Sequence, residues 1–175
     1  MRPLILQPQV DMQADLDETS PSVSSRIGLH AKALQFGAGD NLYLHVSREI
    51  ETGRNVHCVL IDEAQFLSKE QVWQLSDVVD DLDVPVLAYG LRTDFRGEPF
   101  PGSMYLLAWA EEISEIKTVC RTGRKATMNA RLDAQGNQVL EGEQIDIGHH
   151  YIALSRPEFN LPAVTPIQYK PPVDV

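Results

Sequence analysis

The sequence predicts an α/β fold: a doubly wound, largely parallel sheet followed by a small β-hairpin lobe. Three observations predict it. Short apolar runs alternate with helix-period segments up to about residue 120. One of those runs, Val59-Leu60-Ile61, ends in paired carboxylates, Asp62-Glu63, followed by Ala64-Gln65-Phe66. Beyond Cys120 the alternation stops, and strand patterns separated by turn residues take over.

Each element has a local reason. Leu4-Ile5-Leu6 opens the chain as a short buried strand. Residues 12–25 are polar, with Pro21 and four serines, and read as a mobile loop. A helix is expected from about Asn41 to Glu51, ended near Gly53, and a strand from Val56 to Ile61. Ser68 starts the next helix, because Gln71 three residues on completes a capping box. Val72, Leu75, Val79 and Leu82 give that helix an apolar face, with Asp77, Asp80 and Asp81 mainly outside it. Val84 to Tyr89 is a strand ended by Gly90, and Leu91 to Gly102 is a loop rich in Gly, Pro and charge. A helix follows from about Ser103 to Glu112, then a strand from Ile116 to Cys120. Met128–Leu132 and Gln138–Leu140 flank the turn Asp133-Ala134-Gln135-Gly136-Asn137 as a hairpin, and Ile145-Asp146-Ile147 reads as one more short strand. From Arg156 the chain carries five of its eleven prolines, so an extended or disordered tail is expected.

Composition excludes several functions. Lys+Arg is 15 against 25 Asp+Glu, a net charge of −10, which argues against a nucleic-acid surface. No apolar run approaches membrane-spanning length, and the N-terminus has no secretory signal pattern. Cys58 and Cys120 make no disulfide framework, so a reduced, cytoplasmic setting is the default.

The acidic pair is the candidate site. A strand that ends in Asp62-Glu63 delivers carboxylates to the carboxyl edge of a sheet, where open α/β sheets bind ligands. One carboxylate can hold a metal while its neighbour takes a proton, the division of labour at phosphoryl-transfer sites. Taken alone, the octet fits a solvated acidic turn equally well.

Three separated blocks carry a family likeness: Val23-Ser24-Ser25-Arg26-Ile27-Gly28-Leu29, His57 through Leu67, and Tyr89 through Phe100. In this order they resemble the cellular-type (type II) thymidine kinases in their bacterial form, from about Met1 to about Arg156. The resemblance implies a P-loop-type domain over residues 1–119, with a lasso loop at 91–102. It implies a small lobe over 120–156, zinc-stapled in the family, with 157–175 left as tail. The implied reaction is transfer of the ATP γ-phosphoryl group to the 5′-hydroxyl of thymidine or deoxyuridine, with Mg²⁺, by a cytoplasmic homotetramer.

Roles carry over by position. Asp62 would hold Mg²⁺, through water, and Glu63 would be the general base. Asp62, Glu63, Ala64 and Gln65 form the stretch beside the nucleotide cofactor. Phe66 would pack on the thymine ring, Leu91 would line the base pocket, and Phe95 lies at a substrate-contacting place in the lasso. Gln144, Ile145, Asp146, Ile147 and Gly148 correspond to the backbone stretch that reads the base edge, and Tyr151 to the tyrosine beside the sugar.

The chain also departs from the family pattern. No G-x-x-x-x-G-K-[ST] occurs in the 175 residues. Gly37-Ala38-Gly39 is short and runs into Asp40, and Gly123-Arg124-Lys125-Ala126-Thr127 has the wrong spacing. The sequence is therefore expected to start at an internal methionine, with roughly 25–35 residues missing. Losing a central strand would remove roughly 6–15 kcal/mol of burial, comparable with the about 5–15 kcal/mol that stabilises a whole domain. Poor folding and no kinase activity are the corresponding expectations. The alternative is a non-catalytic paralogue that binds nucleoside or pairs with other subunits. The zinc positions read Cys120-Arg121-Thr122 and Ser155-Arg156-Pro157-Glu158, so no structural zinc is expected. Packing of Val119, Met128, Leu132 and Ile152 is expected in its place. Gln13 stands where the family has an Arg, and His149-His150 shorten the substrate loop and read as solvated.

Overall fold

A computed structural model describes residues 2–9, 22–24, 28, 30–144 and 150–160. The chain divides into two compact units, Met1–Arg92 with Phe100–Glu111, and Thr93–Pro99 with Glu112–Val175.

The first unit is α/β. Its strands are β1 (Pro3–Pro8), β2 (Ser22–Ser24), β3 (His30–Lys32), β4 (Leu34–Phe36), β5 (Cys58–Ile61) and β6 (Val86–Ala88). Four of them form a parallel sheet in the order β4-β1-β5-β6. The register aligns Leu4 with Val59 and Val59 with Val86. It also aligns Leu6 with Ile61 and Ile61 with Ala88. Side chains alternate across a strand, so Leu4, Leu6, Val59 and Ile61 enter the core while Ile5 and Leu60 stay half-exposed. β2 and β3 pair separately as an antiparallel ribbon.

Among the described residues three α-helices complete the unit: α1 (Leu42–Glu51), α2 (Lys69–Leu82) and α3 (Pro101–Trp109). Asn41 caps α1 by accepting from the Leu44 N–H. Ser68 and Gln71 form the expected capping box on α2. The buried stripe of α2 is Val72, Leu75 and Val78, with Val79 and Leu82 half-buried. Val78 takes the inward place expected of Val79, because 3.6 residues per turn puts i+3 and i+4 on the same face. Gln71 also donates from Nε2 to the carbonyls of Gly37 (2.9 Å) and Asp40 (3.2 Å), tying α2 to the turn before α1. Where α2 meets α3, Trp73 and Trp109 pack edge-to-face at 5.3 Å.

The second unit holds β7 (Thr118–Val119), β8 (Lys125–Ala126), β9 (Met128–Leu132), β10 (Gln138–Val139), β11 (His150–Leu154) and α4 (Arg156–Phe159). The strand expected at Ile116–Cys120 is β7, and it pairs antiparallel with β8. A tight turn turns it back: Gly123 (φ 76) donates to the Cys120 carbonyl, and Cys120 donates to that of Arg124. The hairpin expected at 128–140 forms, with β9 central between β10 and β11. Asp133 builds its turn, accepting from the Gln135 and Asn137 N–H groups. Arg156–Phe159, expected to be extended, form a short helix instead. Pro157 suits a first turn, and Ser155 with Glu158 makes a capping box. The strand expected at Ile145–Ile147 and the tail from 161 onward lie outside the described residues. So does most of the loop expected at 12–25, but its residues Ser22–Ser24 form β2 instead, because they pair with His30–Lys32.

Candidate active site

In the first unit the acidic pair sits where the sheet ends. The Asp62 N–H still donates to the Leu6 carbonyl (3.0 Å), so Asp62 is the last position held by the β1–β5 ladder. Asp62 Oδ1 accepts from the Glu63 N–H at 3.0 Å. Glu63 then adopts a left-handed backbone (φ 50, ψ 40) and starts a single 3₁₀ turn, Ala64–Phe66. A non-glycine residue there stores about 1 kcal/mol or more of strain, a pattern concentrated at functional sites.

The surroundings over-determine this turn. Ala64 donates to the Tyr89 carbonyl (2.8 Å), and Tyr89 donates to Ile61 (2.9 Å). Gln65 is 2% exposed. It donates from Nε2 to Glu63 Oε2 at 2.6 Å and accepts from the Leu91 N–H at 3.1 Å. Two glycines allow the close packing. A Cβ at Gly90 would lie 2.6 Å from Gln65 Oε1 and 2.9 Å from the Gln65 nitrogen. One at Gly102 would meet the carbonyl oxygens of Ala64, Gln65 and Leu67 at 2.7–2.8 Å. Ser103 Oγ donates to the Leu91 carbonyl at 2.5 Å, and Phe66 packs edge-to-face on Phe100 at 5.5 Å.

The first unit thus brings together Asp62, Glu63, Ala64, Gln65, Phe66 and Leu91. Glu63 and Leu91 are exposed, and Asp62 and Phe66 are half-buried. Ala64 and Gln65 are buried, so their side chains support the turn rather than face a ligand. Asp62 fits a magnesium ligand, because Mg²⁺ is commonly held by one or two carboxylates together with substrate phosphates and waters. Sequence reasoning missed Gly90, Gly102 and Ser103. Their only sequence signal is small residues flanking a charged loop.

In the second unit, Thr93–Pro99 close into a tight turn. Thr93 and Pro99 form a bridge, and Asp94 donates from its N–H to the Glu98 carbonyl. The Asp94 carboxylate accepts from the N–H groups of Arg96 (2.9 Å) and Glu98 (3.0 Å), from the Arg96 guanidinium (2.8 Å) and from Gln144 Nε2 (3.2 Å). Burial alone would raise its pKa. The bonds from Arg96, Glu98 and Gln144 outweigh burial and hold it below the ordinary 3.8. Phe95 is 1% exposed, its ring covered by the Arg131 guanidinium at 3.7 Å. Tyr151 is on β11 opposite Arg131 in register, and 42% exposed. Ile145, Asp146, Ile147 and Gly148 lie outside the described residues, as do Gln13 and His149.

The positions expected to have lost zinc form a polar cluster. Cys120 Sγ lies 3.1 Å from Thr122 Oγ1, and Ser155 Oγ donates to Glu158 Oε2 at 2.7 Å. Arg121 pairs with Glu158 at 3.7 Å. One thiol, two hydroxyls and a carboxylate do not match the four N/S ligands of structural zinc. Leu132 is buried as expected, but Val119 is 69% exposed, so the cluster, and not Val119, holds this end of the lobe. Hydrogen bonding, first from the Cys120 thiol and then from Ser155, pushes the Glu158 pKa down from 4.5 to about 2. A depressed acid stabilises the fold above its unfolded pKa and loses that contribution as pH falls through the folded one. The stability of this unit is therefore expected to drop between about pH 4.5 and 2. Glu158→Gln should flatten that part of the profile, as followed by near-ultraviolet circular dichroism. An unchanged profile would remove Glu158 from the account.

Comparison with known proteins follows the same blocks. A family model described as thymidine kinase matches residues 3–159. A thymidine kinase of Xanthomonas oryzae pv. oryzae is 56% identical over 161 residues, covering 91% of this chain and 75% of the relative. A thymidine kinase of Legionella pneumophila is 50% identical over 159 residues, covering 89% of this chain and 74% of the relative.

Proposed function

The chain belongs to the thymidine kinase family, and from that premise we propose that it carries the general base, the magnesium carboxylate and the nucleoside-handling loop of a thymidine-phosphorylating site. By family it is a kinase, a phosphotransferase acting on an alcohol group. The observation that carries the finer reading is the strained turn at Glu63, whose carboxylate is fixed by Gln65 at 2.6 Å beside Asp62. A base must be both exposed and oriented. Glu63 is exposed at the carboxyl edge of a parallel sheet, and Gln65 supplies the orientation.

In this reading the Glu63 carboxylate takes the proton of the nucleoside 5′-hydroxyl. That oxygen bonds to the γ-phosphorus of ATP, the bond to the β–γ bridging oxygen breaks, and ADP leaves. Asp62 would hold Mg²⁺ through water, and the ion, when bound, neutralises phosphate charge. Phe66 and Leu91 would line the base pocket, with Phe95, residues 144–148 and Tyr151 acting on the nucleoside. The four-stranded parallel sheet would belong to a P-loop-type, doubly wound domain. The family resemblance supports thymidine or deoxyuridine as acceptor, a cytoplasmic setting and a homotetramer. Among the described residues no helix is long and apolar enough to cross a membrane.

The phosphate cradle is the part not written as a Walker A motif in these 175 residues. The 175-residue protein is therefore expected to bind thymidine saturably in a calorimeter and to form no thymidine monophosphate from ATP. Supplying a Walker A segment from a relative, in frame, should restore phosphorylation. Absence of saturable thymidine binding would overturn the nucleoside assignment. Steady turnover by the 175 residues alone would overturn the requirement for an added cradle.

A further inference from the structure

Arg131 is the bulkiest fully buried side chain among the described residues, at 2% exposure. A guanidinium inside a protein needs a specific reason, because its desolvation is costly unless its donors are matched. Its guanidinium donates to the carbonyl oxygens of Glu143 (3.0 Å) and Glu141 (3.1 Å), on the segment that leads into Gln144. It also lies 3.7 Å from the centroid of the Phe95 ring, within cation–π range. Gly142 (φ 129) is shaped to this arrangement, because a Cβ there would run into the same guanidinium. A direct bond joins the two segments as well, from Gln144 Nε2 to the Asp94 carboxylate at 3.2 Å.

We propose that Arg131 is a positioning residue for nucleoside binding, setting the turn Thr93–Pro99 and the segment from Glu141 to Gln144 as one unit. The proposal rests on the nucleoside role given above to Phe95 and Gln144. One planar cation serves both segments: its face holds the Phe95 ring, and its edge holds two backbone carbonyls. Lysine cannot substitute, since a compact ammonium offers neither the flat face nor the forked donors. Phe95, enclosed as it is, serves the nucleoside through the loop that it anchors.

The test uses the full 175-residue chain and two readouts: thymidine Kd by calorimetry, below the melting temperature of each variant, and amide hydrogen exchange. Arg131→Met keeps the bulk and removes the charge and the fork. It is expected to raise the thymidine Kd roughly ten- to a hundredfold, from losing a desolvated cation–π contact and two charged hydrogen bonds. Exchange should accelerate at residues 94–98 and 141–144, while the amides of β9 paired with β11 stay protected. Arg131→Lys should remain several-fold weaker than the parent. Phe95→Leu should weaken binding by itself and add little on top of Arg131→Met, since both act through one contact. A lower melting temperature with unchanged Kd would show a merely structural residue and overturn the proposal, as would strictly additive losses. A parent chain that binds no thymidine overturns the functional reading and the nucleoside part of this proposal together. Faster exchange confined to the two segments would still establish, in that case, that Arg131 holds them.

Discussion

Glu63→Gln is expected to lower kcat for thymidine phosphorylation by roughly a hundred- to ten-thousandfold, the range for removing a general base. The measurement is made on the chain with a Walker A segment supplied, against the same protein with Glu63 intact. Glutamine keeps the size of the side chain and an acceptor oxygen. The bond now made by Gln65 Nε2 at 2.6 Å can therefore persist, and with it the turn. What disappears is the capacity to take a proton in the transition state. The loss should therefore fall on kcat, with the thymidine KM changed little. A variant whose kcat is unchanged would refute the base assignment, and one in which only KM rises would make Glu63 a binding residue.

Gly102→Ala is the second large effect, and it acts on the scaffold. The new methyl would sit 2.7–2.8 Å from three carbonyl oxygens, those of Ala64, Gln65 and Leu67. These are backbone atoms in the strained turn, so no flexible side chain can swing aside. Either α3 retreats or the turn does. Overpacking of this kind costs about 3 kcal/mol, and any retreat of the turn moves Glu63. Urea denaturation of the 175-residue protein checks the stability loss. Gly39→Ala is the control, since nothing lies within 4 Å of its Cβ position. It is expected to stay within about 0.5 kcal/mol of the parent. Equal effects at the two positions would show that the turn is softer than its contacts imply.

Local chemistry was legible in the sequence. Ser68 with Gln71, and Asp133, each make the cap or turn that their spacing announces, because each interaction closes within four residues. The parallel sheet was legible through the apolar runs at residues 4–6, 59–61 and 86–88, and the acidic pair does stand at its edge. Long-range steric demands were not. Gly102 reads as an ordinary small residue near a helix start, and only the packed turn of Ala64–Leu67 shows why a side chain is excluded there. Arg131 falls within a strand of the expected hairpin with nothing in the local pattern to mark it, and the ring it covers, Phe95, lies 36 positions earlier. Val119 reads as core, but the turn at Gly123 folds its strand onto Lys125–Ala126 and leaves it exposed. Gln65 reads as a ligand contact, and its amide is instead committed to Glu63 and Leu91.

The Trp73–Trp109 pair decides how this molecule can be watched. The chain has two tryptophans, and both belong to the first unit. Red-edge excited fluorescence therefore reports the α/β unit alone, and the lobe that holds Arg131 and Glu158 is dark to it. Circular dichroism sees both. If the two optical melts superimpose, the units unfold as a single cooperative block. If fluorescence lags behind the dichroic signal, the lobe opens first, and the shape of that gap measures its separate stability without any label.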